Sequence, residues 1–158
     1  MEFRIATTRD SAALAELRWT WRVEEKRGGE LLEESRSAYL SRFVAFMEDG
    51  LRNRWTAWVA DDGGRVASTI WVYRVPKVPS PGRPSRDFGY VTNVYTVPEQ
   101  RGRGVGAQLL AAVTQWAHET GLEMLIVWPS DRSLDFYARQ GFAPSQEMHE
   151  LDVVGYDG

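Results

Sequence analysis

The sequence predicts a mixed α/β domain with a strand-helix-strand crossover in its second half, in the order β-α-α-β-β-β-α-β-α-β. Three observations carry that reading. Apolar residues at helical spacing fill three long segments. Runs of β-branched and aromatic residues, bounded by turn residues, alternate with them. One of those runs passes through a glycine-rich turn directly into a helix.

Met1-Glu2-Phe3-Arg4-Ile5 alternates, so a first strand is expected over residues 2 to 8. Asp10 and Ser11 offer capping oxygens to a helix with Leu14, Leu17, Arg18, Trp21 and Val23 at helical spacing, ending near Gly28-Gly29. A second helix is expected from Leu31 to Met47, with Leu32, Tyr39, Leu40, Phe43, Val44 and Met47 on one face and Asp49-Gly50 as its stop. Arg54 to Ala60 and Val66 to Val75 flank Asp61-Asp62-Gly63-Gly64 and read as a hairpin. Pro76 to Asp87 holds four prolines and reads as a loop, because proline has no N–H to give a ladder. Phe88 to Val97 is then a strand, Val105 to Thr120 a helix with Leu109, Leu110, Val113 and Trp116 inward, and Leu122 to Trp128 a buried strand. Ser130 is placed to cap a short helix through Arg139, Gly141 ends it, and Gln146 to Val153 alternates as a closing strand that contains His149.

With 158 residues, 43% hydrophobic and 26% charged, one domain spanning residues 1 to 158 accounts for the whole chain. No apolar run approaches the roughly 20 residues of a membrane span, and the N-terminus lacks a signal-peptide layout, so a cytoplasmic protein is expected. A net charge of -3 argues against a nucleic-acid partner. The absence of cysteine excludes disulfides, thiolate metal sites and an acyl-thioenzyme on this chain, and two histidines, His118 and His149, do not make a metal site. Most of the seven tryptophans are expected in the core.

The junction after Val97-Pro98 is where chemistry is expected. The first turn of a helix leaves N–H groups without intrahelical partners, and the helix dipole adds positive potential there, which suits phosphate. Gly102, Gly104 and Gly106 remove side chains that would keep a diphosphate from the backbone, and Arg101 and Arg103 add cationic donors. A nucleotide-binding Walker loop requires Gly-Lys-Ser/Thr, which is missing, and the glycine spacing does not fit a dinucleotide fingerprint.

Arg101-x-x-Gly104-x-Gly106 after a strand ending in Val97-Pro98 resembles the coenzyme A motif of the GNAT superfamily of N-acetyltransferases. Ser130, Ser133, Phe136-Tyr137 and Gly141-Phe142 occupy the places of that family's following motif, so the resemblance runs over residues 88 to 143. It implies a single-domain acyl-CoA N-acyltransferase fold, α/β of the α+β type, with a mixed, mostly antiparallel central sheet and flanking helices. It also implies acetyl-CoA as co-substrate and no metal. Backbone groups at Tyr95, Thr96 and Val97 are expected to hold the pantetheine arm as an added strand would. The segment Arg101, Gly102, Arg103, Gly104, Val105, Gly106 and Ala107 is expected to hold the diphosphate, with Ser130 and Ser133 as further cofactor contacts.

The implied reaction is transfer of an acetyl group to a primary amine of a small molecule or peptide within a ternary complex. Tyr137 stands in the place of the family's general-acid tyrosine. The carboxylate base of the best-known members falls at Tyr90, so deprotonation is expected through water held by Tyr90, Thr92 or Asn93, or by Asp87 at the strand's mouth. The first helix, with Arg18, Trp19, Trp21 and Arg22, is in the region that shapes the acceptor pocket in similar proteins. The loop with Arg83 and Arg86 is a second candidate contact, and a homodimer is compatible with the sequence. Two other readings stand beside this one: a catalytically silent acyl-CoA-binding module, and an acetyltransferase of aminoacyl-tRNA, against which the acidic charge counts.

Overall fold

The computed structural model describes residues 1–25, 34–82, 86–151 and 153. They form two compact units, Met1–Trp128 and Pro129–Gly158. The first contains strand β1 (Glu2–Ile5), helices α1 (Ser11–Glu25) and α2 (Arg36–Gly50), strands β2 (Trp55–Asp62), β3 (Arg65–Val75) and β4 (Phe88–Thr96), helix α3 (Val105–Glu119) and strand β5 (Leu125–Val127). The sheet order is β1-β2-β3-β4-β5, antiparallel except where β5 runs parallel to β4 across the α3 crossover. This is the mixed, mostly antiparallel architecture expected from the sequence.

Local chemistry sets the entry to the fold. The Thr7 hydroxyl accepts from Arg9 N–H, and the Asp10 carboxylate accepts the Thr7 N–H at 2.8 Å, so Asp10 closes a 3-10 turn ahead of α1 rather than capping α1 itself. Arg4 on β1 grips Asp10 with two hydrogen bonds of 2.8 and 2.9 Å and Asp61 on β2 with a third of 2.8 Å. Ser35 caps α2 by accepting the Ala38 N–H. The β2–β3 turn has Gly63 and Gly64 at φ 64° and 94°, with Asp61 accepting the Gly64 N–H at 2.6 Å. Gly28, Gly29, Leu31, Leu32 and Arg83 lie outside the described residues.

Helices cover both faces of the sheet. On one, Leu14, Leu17 and Met47 from α1 and α2 meet Val59, Trp71, Tyr95 and Val97. Phe43 and Phe46 pack on Trp71 at 5.8 and 5.9 Å between ring centres, so Trp71 belongs to the core as expected. On the other face Leu109, Leu110 and Val113 of α3 are fully buried, as are Ile70, Val72 and Val91 of the sheet, and Trp116 packs on Trp58. Fully burying one such aliphatic side chain is worth about 1.5–3 kcal/mol.

Strand β4 contains the main irregularity. Its pairing with β3 shifts by one residue between Trp71↔Thr92 and Thr69↔Tyr95, so an extra residue is taken up there. Asn93 in that bulge has φ 49°, the left-handed conformation that asparagine tolerates better than most residues. On β4's other side, β5 pairs only with Gly89, Tyr90 and Val91. That contact is tight: a Cβ on Gly89 would lie 2.6 Å from Leu125 Cδ2 and 2.9 Å from Val72 Cγ1.

The second unit begins with Pro129, and its described residues include the helix α4 (Leu134–Arg139) after a 3-10 turn over Asp131–Ser133. Gly141, at φ 87°, ends α4 in the left-handed conformation. The closing strand expected over Gln146 to Val153 is absent from the described part: residues 146–151 are bends and coil. Met148, Leu151 and Val153 are exposed there, with Leu151 and Val153 at 85% and 86%, so the alternating pattern has no sheet face to bury against.

Candidate functional site

The bulge decides which backbone groups of β4 are available. Before it, Gly89 N–H donates to Met124 O at 2.9 Å, so odd-numbered residues turn their backbone groups toward β5. After it, Val97 N–H donates to Ala67 O at 2.9 Å, and the Tyr95 carbonyl accepts the Ser68 hydroxyl at 2.9 Å. The odd residues there face β3 instead. The expectation that Tyr95 and Val97 offer backbone groups to a ligand is therefore corrected: those groups are engaged by β3, and Val94 and Thr96 are the residues turned to the edge that β5 leaves uncovered. Sequence reading missed Val94 because a one-residue bulge reverses the parity of everything after it.

The open edge continues through a 3-10 turn (Pro98–Gln100) into the glycine loop. Gly102 and Gly104 adopt φ 72° and 78°, which side chains rarely allow. A Cβ on Gly102 would meet nothing within 4 Å, and one on Gly104 only Gln108 Nε2 at 3.6 Å, so the surface above the loop is open space. Gly104 is the N-cap of α3 and supplies no side-chain cap, which leaves the first-turn N–H groups of Val105, Gly106 and Ala107 without one. The loop thus fits an anion held by backbone donors and the helix dipole.

The two loop arginines differ. Arg101 turns back: its Nε donates to Thr96 O at 2.9 Å, its other nitrogen pairs with Glu24 of α1 at 2.7 Å, and its guanidinium lies 5.3 Å from the Tyr95 ring centre. Arg103 is exposed, and among the described residues it has no ion-pair partner. Glu24 also accepts the Tyr95 hydroxyl at 2.7 Å, and Trp21 stacks on Tyr95 at 6.5 Å. Burial, then the Glu24 hydrogen bond, push the Tyr95 phenol up to about 12, so it is a neutral donor at any working pH. Glu24 is a site residue the sequence reading missed: it lies 71 positions from Tyr95, and no local pattern links them.

At the bulge, the Asn93 side-chain oxygen accepts from Arg18 of α1 at 3.2 Å. The guanidinium of Arg18 also lies 4.2 Å from the Trp21 ring centre. Tyr90 and Thr92 are half-buried on the same strand, with Tyr90 edge-on to Trp128 at 4.8 Å. Asp87, the carboxylate considered at the strand's mouth, faces Arg74 at 3.6 Å and Arg54 at 3.9 Å, at the other end of β4 from Asn93.

In the second unit, Ser130 makes no cap bond. Its hydroxyl meets that of Ser133 at 3.2 Å, and Ser133 bonds back to the Ser130 carbonyl at 2.9 Å. The helix begins a turn later than expected because this serine pair closes a 3-10 turn first. Tyr137 is buried, 6% exposed, with its ring between Phe136 at 5.1 Å and Phe142 at 5.4 Å. Among the described residues no group of three His, Cys, Asp or Glu side chains suits a metal, and no helix is long and apolar enough to cross a membrane.

A parallel strand pair joined across a glycine-led helix, the first of the two strands bulged, defines a class that comparison makes explicit. The acetyltransferase (GNAT) family model matches residues 13–142, and the chain belongs to that family, one of acyltransferase enzymes. It is 31% identical over 65 residues to the uncharacterized N-acetyltransferase YobR of Bacillus subtilis, covering 39% of this chain and 26% of that one. It is 28% identical over 90 residues to a glucosamine 6-phosphate N-acetyltransferase of Trypanosoma brucei brucei, covering 57% of this chain and 59% of that one. The chain thus spans about a quarter and three fifths of the lengths of these curated relatives. Among solved structures, a predicted acetyltransferase of Clostridium acetobutylicum with acetyl-CoA superposes with a TM-score of 0.74 at 21% identity, covering 99% of both chains. A GCN5-related N-acetyltransferase of Ralstonia eutropha gives 0.72 at 24% identity, covering 96% of this chain and 97% of that one. At such identities the likeness concerns the fold.

Proposed function

We propose that this chain is one N-acetyltransferase domain that transfers the acetyl group of acetyl-CoA to a primary amine of a small molecule or peptide, in a ternary complex and in a cytoplasmic setting. The observation that carries the proposal is the open edge of β4 beyond Asn93, which runs without interruption into the uncapped, glycine-lined start of α3. The family match from residue 13 to 142, which crosses both units, supports treating them as one domain.

When bound, acetyl-CoA supplies an acetyl group activated as a thioester. The backbone of Val94 and the N–H of Thr96 are proposed to hold the pantetheine arm, in the manner of an added strand, the Thr96 carbonyl being taken by Arg101. The backbone N–H groups from Gly102 to Ala107 are proposed to hold the diphosphate, with Arg103 contributing charge. Ser130 and Ser133 are proposed cofactor contacts on their place in the motif. Tyr137 is proposed to give its phenolic proton to the departing sulfur. Tyr90, Thr92 and Asn93 are proposed to hold the water that takes the amine proton, since Glu24 and Asp87 are both engaged by arginines.

The test is thiol release from acetyl-CoA against a panel of primary amines. Amine-dependent release is expected, and Tyr137→Phe is expected to lower turnover about 10²-fold with less effect on cofactor affinity. Tight acetyl-CoA binding without release by any amine in the panel favours a silent binding module instead.

A further inference from the structure

On the α1 surface beside the bulge, Arg18 has no carboxylate in contact among the described residues. Arg18 is half-buried, and its direct contacts are neutral groups: the Asn93 side-chain oxygen at 3.2 Å, the face of Trp21 at 4.2 Å and the Tyr39 hydroxyl. The charged neighbours are otherwise matched. Arg22 pairs with Glu25 at 2.7 Å, and Arg42, which lies 5.4 Å from the Tyr39 ring centre, pairs with Glu34 at 2.7 Å. Among the described residues no carboxylate lies within 4 Å of Arg18. Burial, with Arg22 acting in the same direction, pulls its pKa below the usual arginine value, while Tyr39 and Glu25 oppose that. A guanidinium has five donors in a planar fork suited to an oxyanion, and here Asn93 and the Tyr39 hydroxyl engage only part of it.

We infer that Arg18 is a specificity residue for the acceptor, selecting amines that also carry a carboxylate or phosphate group. The inference rests on the proposed transferase reading and adds a substrate class to it. Asn93 fixes the guanidinium at the bulge, where the available edge of β4 begins, and Trp21 shields one of its faces. An anion on the acceptor supplies the close counter-charge that no described carboxylate gives within 4 Å. The amine end of the same molecule is then held within one small-molecule length of Asn93.

The test compares kcat/KM for matched primary amines: one bearing a carboxylate, one bearing a phosphate monoester, and the neutral amide and alcohol counterparts of each. The wild-type chain is expected to prefer an anionic member over its neutral counterpart by about 10- to 100-fold, as charge-assisted hydrogen bonds allow. The carboxylate and phosphate arms separate the two sources of that charge. Arg18→Met is expected to erase the preference through KM, and Arg18→Lys to restore part of it. Thermal unfolding and acetyl-CoA affinity, followed on the same proteins, separate loss of specificity from loss of fold. Equal rates for charged and neutral amines, or an Arg18→Met variant that keeps the wild-type ratio, overturns the inference and leaves the transferase reading standing. Absence of release with every amine sinks that reading instead.

Discussion

The two halves of β4 share the same partner on one side and differ on the other. From Gly89 to Val91 the strand is closed by β5, tightly enough that a single methyl on Gly89 collides with Leu125 and Val72. From Val94 to Thr96 it has β3 on one side and an open edge on the other. Asn93 separates the halves and reverses which residues face which neighbour. An uncovered strand edge is normally a liability, because its unpaired N–H and C=O groups invite a foreign strand. Here the edge is three residues long and leads into a helix start that suits phosphate, so the same geometry fits a ligand that pairs as a strand at one end and ends in a diphosphate at the other. One half of the strand contributes stability, and the other offers the candidate site.

The largest expected effect lies where the open edge meets α3. Gly104→Val puts a β-branched side chain at φ 78° and over the helix start, and acetyl-CoA affinity is expected to fall by at least about 10²-fold in calorimetric titration. Unchanged affinity means the cofactor is held elsewhere. In the closed half the effect is on stability: Gly89→Ala is expected to cost about 1–3 kcal/mol in urea unfolding, because the Cβ meets packed side chains on two strands. The bulge sharpens the comparison, since its two substitutions should part. Asn93→Gly keeps the left-handed conformation, while Asn93→Val opposes it by roughly 1–2 kcal/mol, and only the valine is expected to weaken cofactor binding along with stability. If both variants bind alike, the bulge does not set the edge.

The smallest effect is far from the site, in the clamp between β1, β2 and the turn before α1. The Arg4 guanidinium, through its hydrogen bonds, holds the Asp10 carboxyl below its ordinary range, with the Thr7 N–H adding to it. A depressed carboxyl pKa stabilises the fold above the ordinary carboxylate range, and that stability is lost as pH falls through the folded-state value. Asp10→Asn is therefore expected to lower stability at neutral pH by about 1 kcal/mol at most, given solvent screening. The gap to wild type closes in acid, which urea midpoints measured against pH will read.

The legible parts of the sequence were those with local causes. The glycine loop announces its left-handed turns at Gly102 and Gly104, the hairpin its Gly63-Gly64 turn, and α3 its apolar face of Leu109, Leu110 and Val113. What stayed hidden depends on long-range pairing. A bulge is one extra residue against a partner strand 20 or more positions away, and nothing in Thr92-Asn93-Val94 marks it, so Tyr95 and Val97 were assigned to the wrong edge. Glu24 and Arg18 come to β4 from another helix. The closing strand failed for the opposite reason: its alternation is a local signal, and the described residues 146–151 find no sheet to complete.

The central claim is that the β4 edge and the α3 start together hold acetyl-CoA for transfer to an amine. The most direct measurement is hydrogen exchange at individual amides with and without acetyl-CoA. Protection is predicted at the N–H groups of Val94, Thr96 and the segment from Gly104 to Ala107, with Val97 already protected in the free protein by Ala67. Protection confined to other residues, or none at Val94 and Thr96 when the cofactor is saturating, contradicts it.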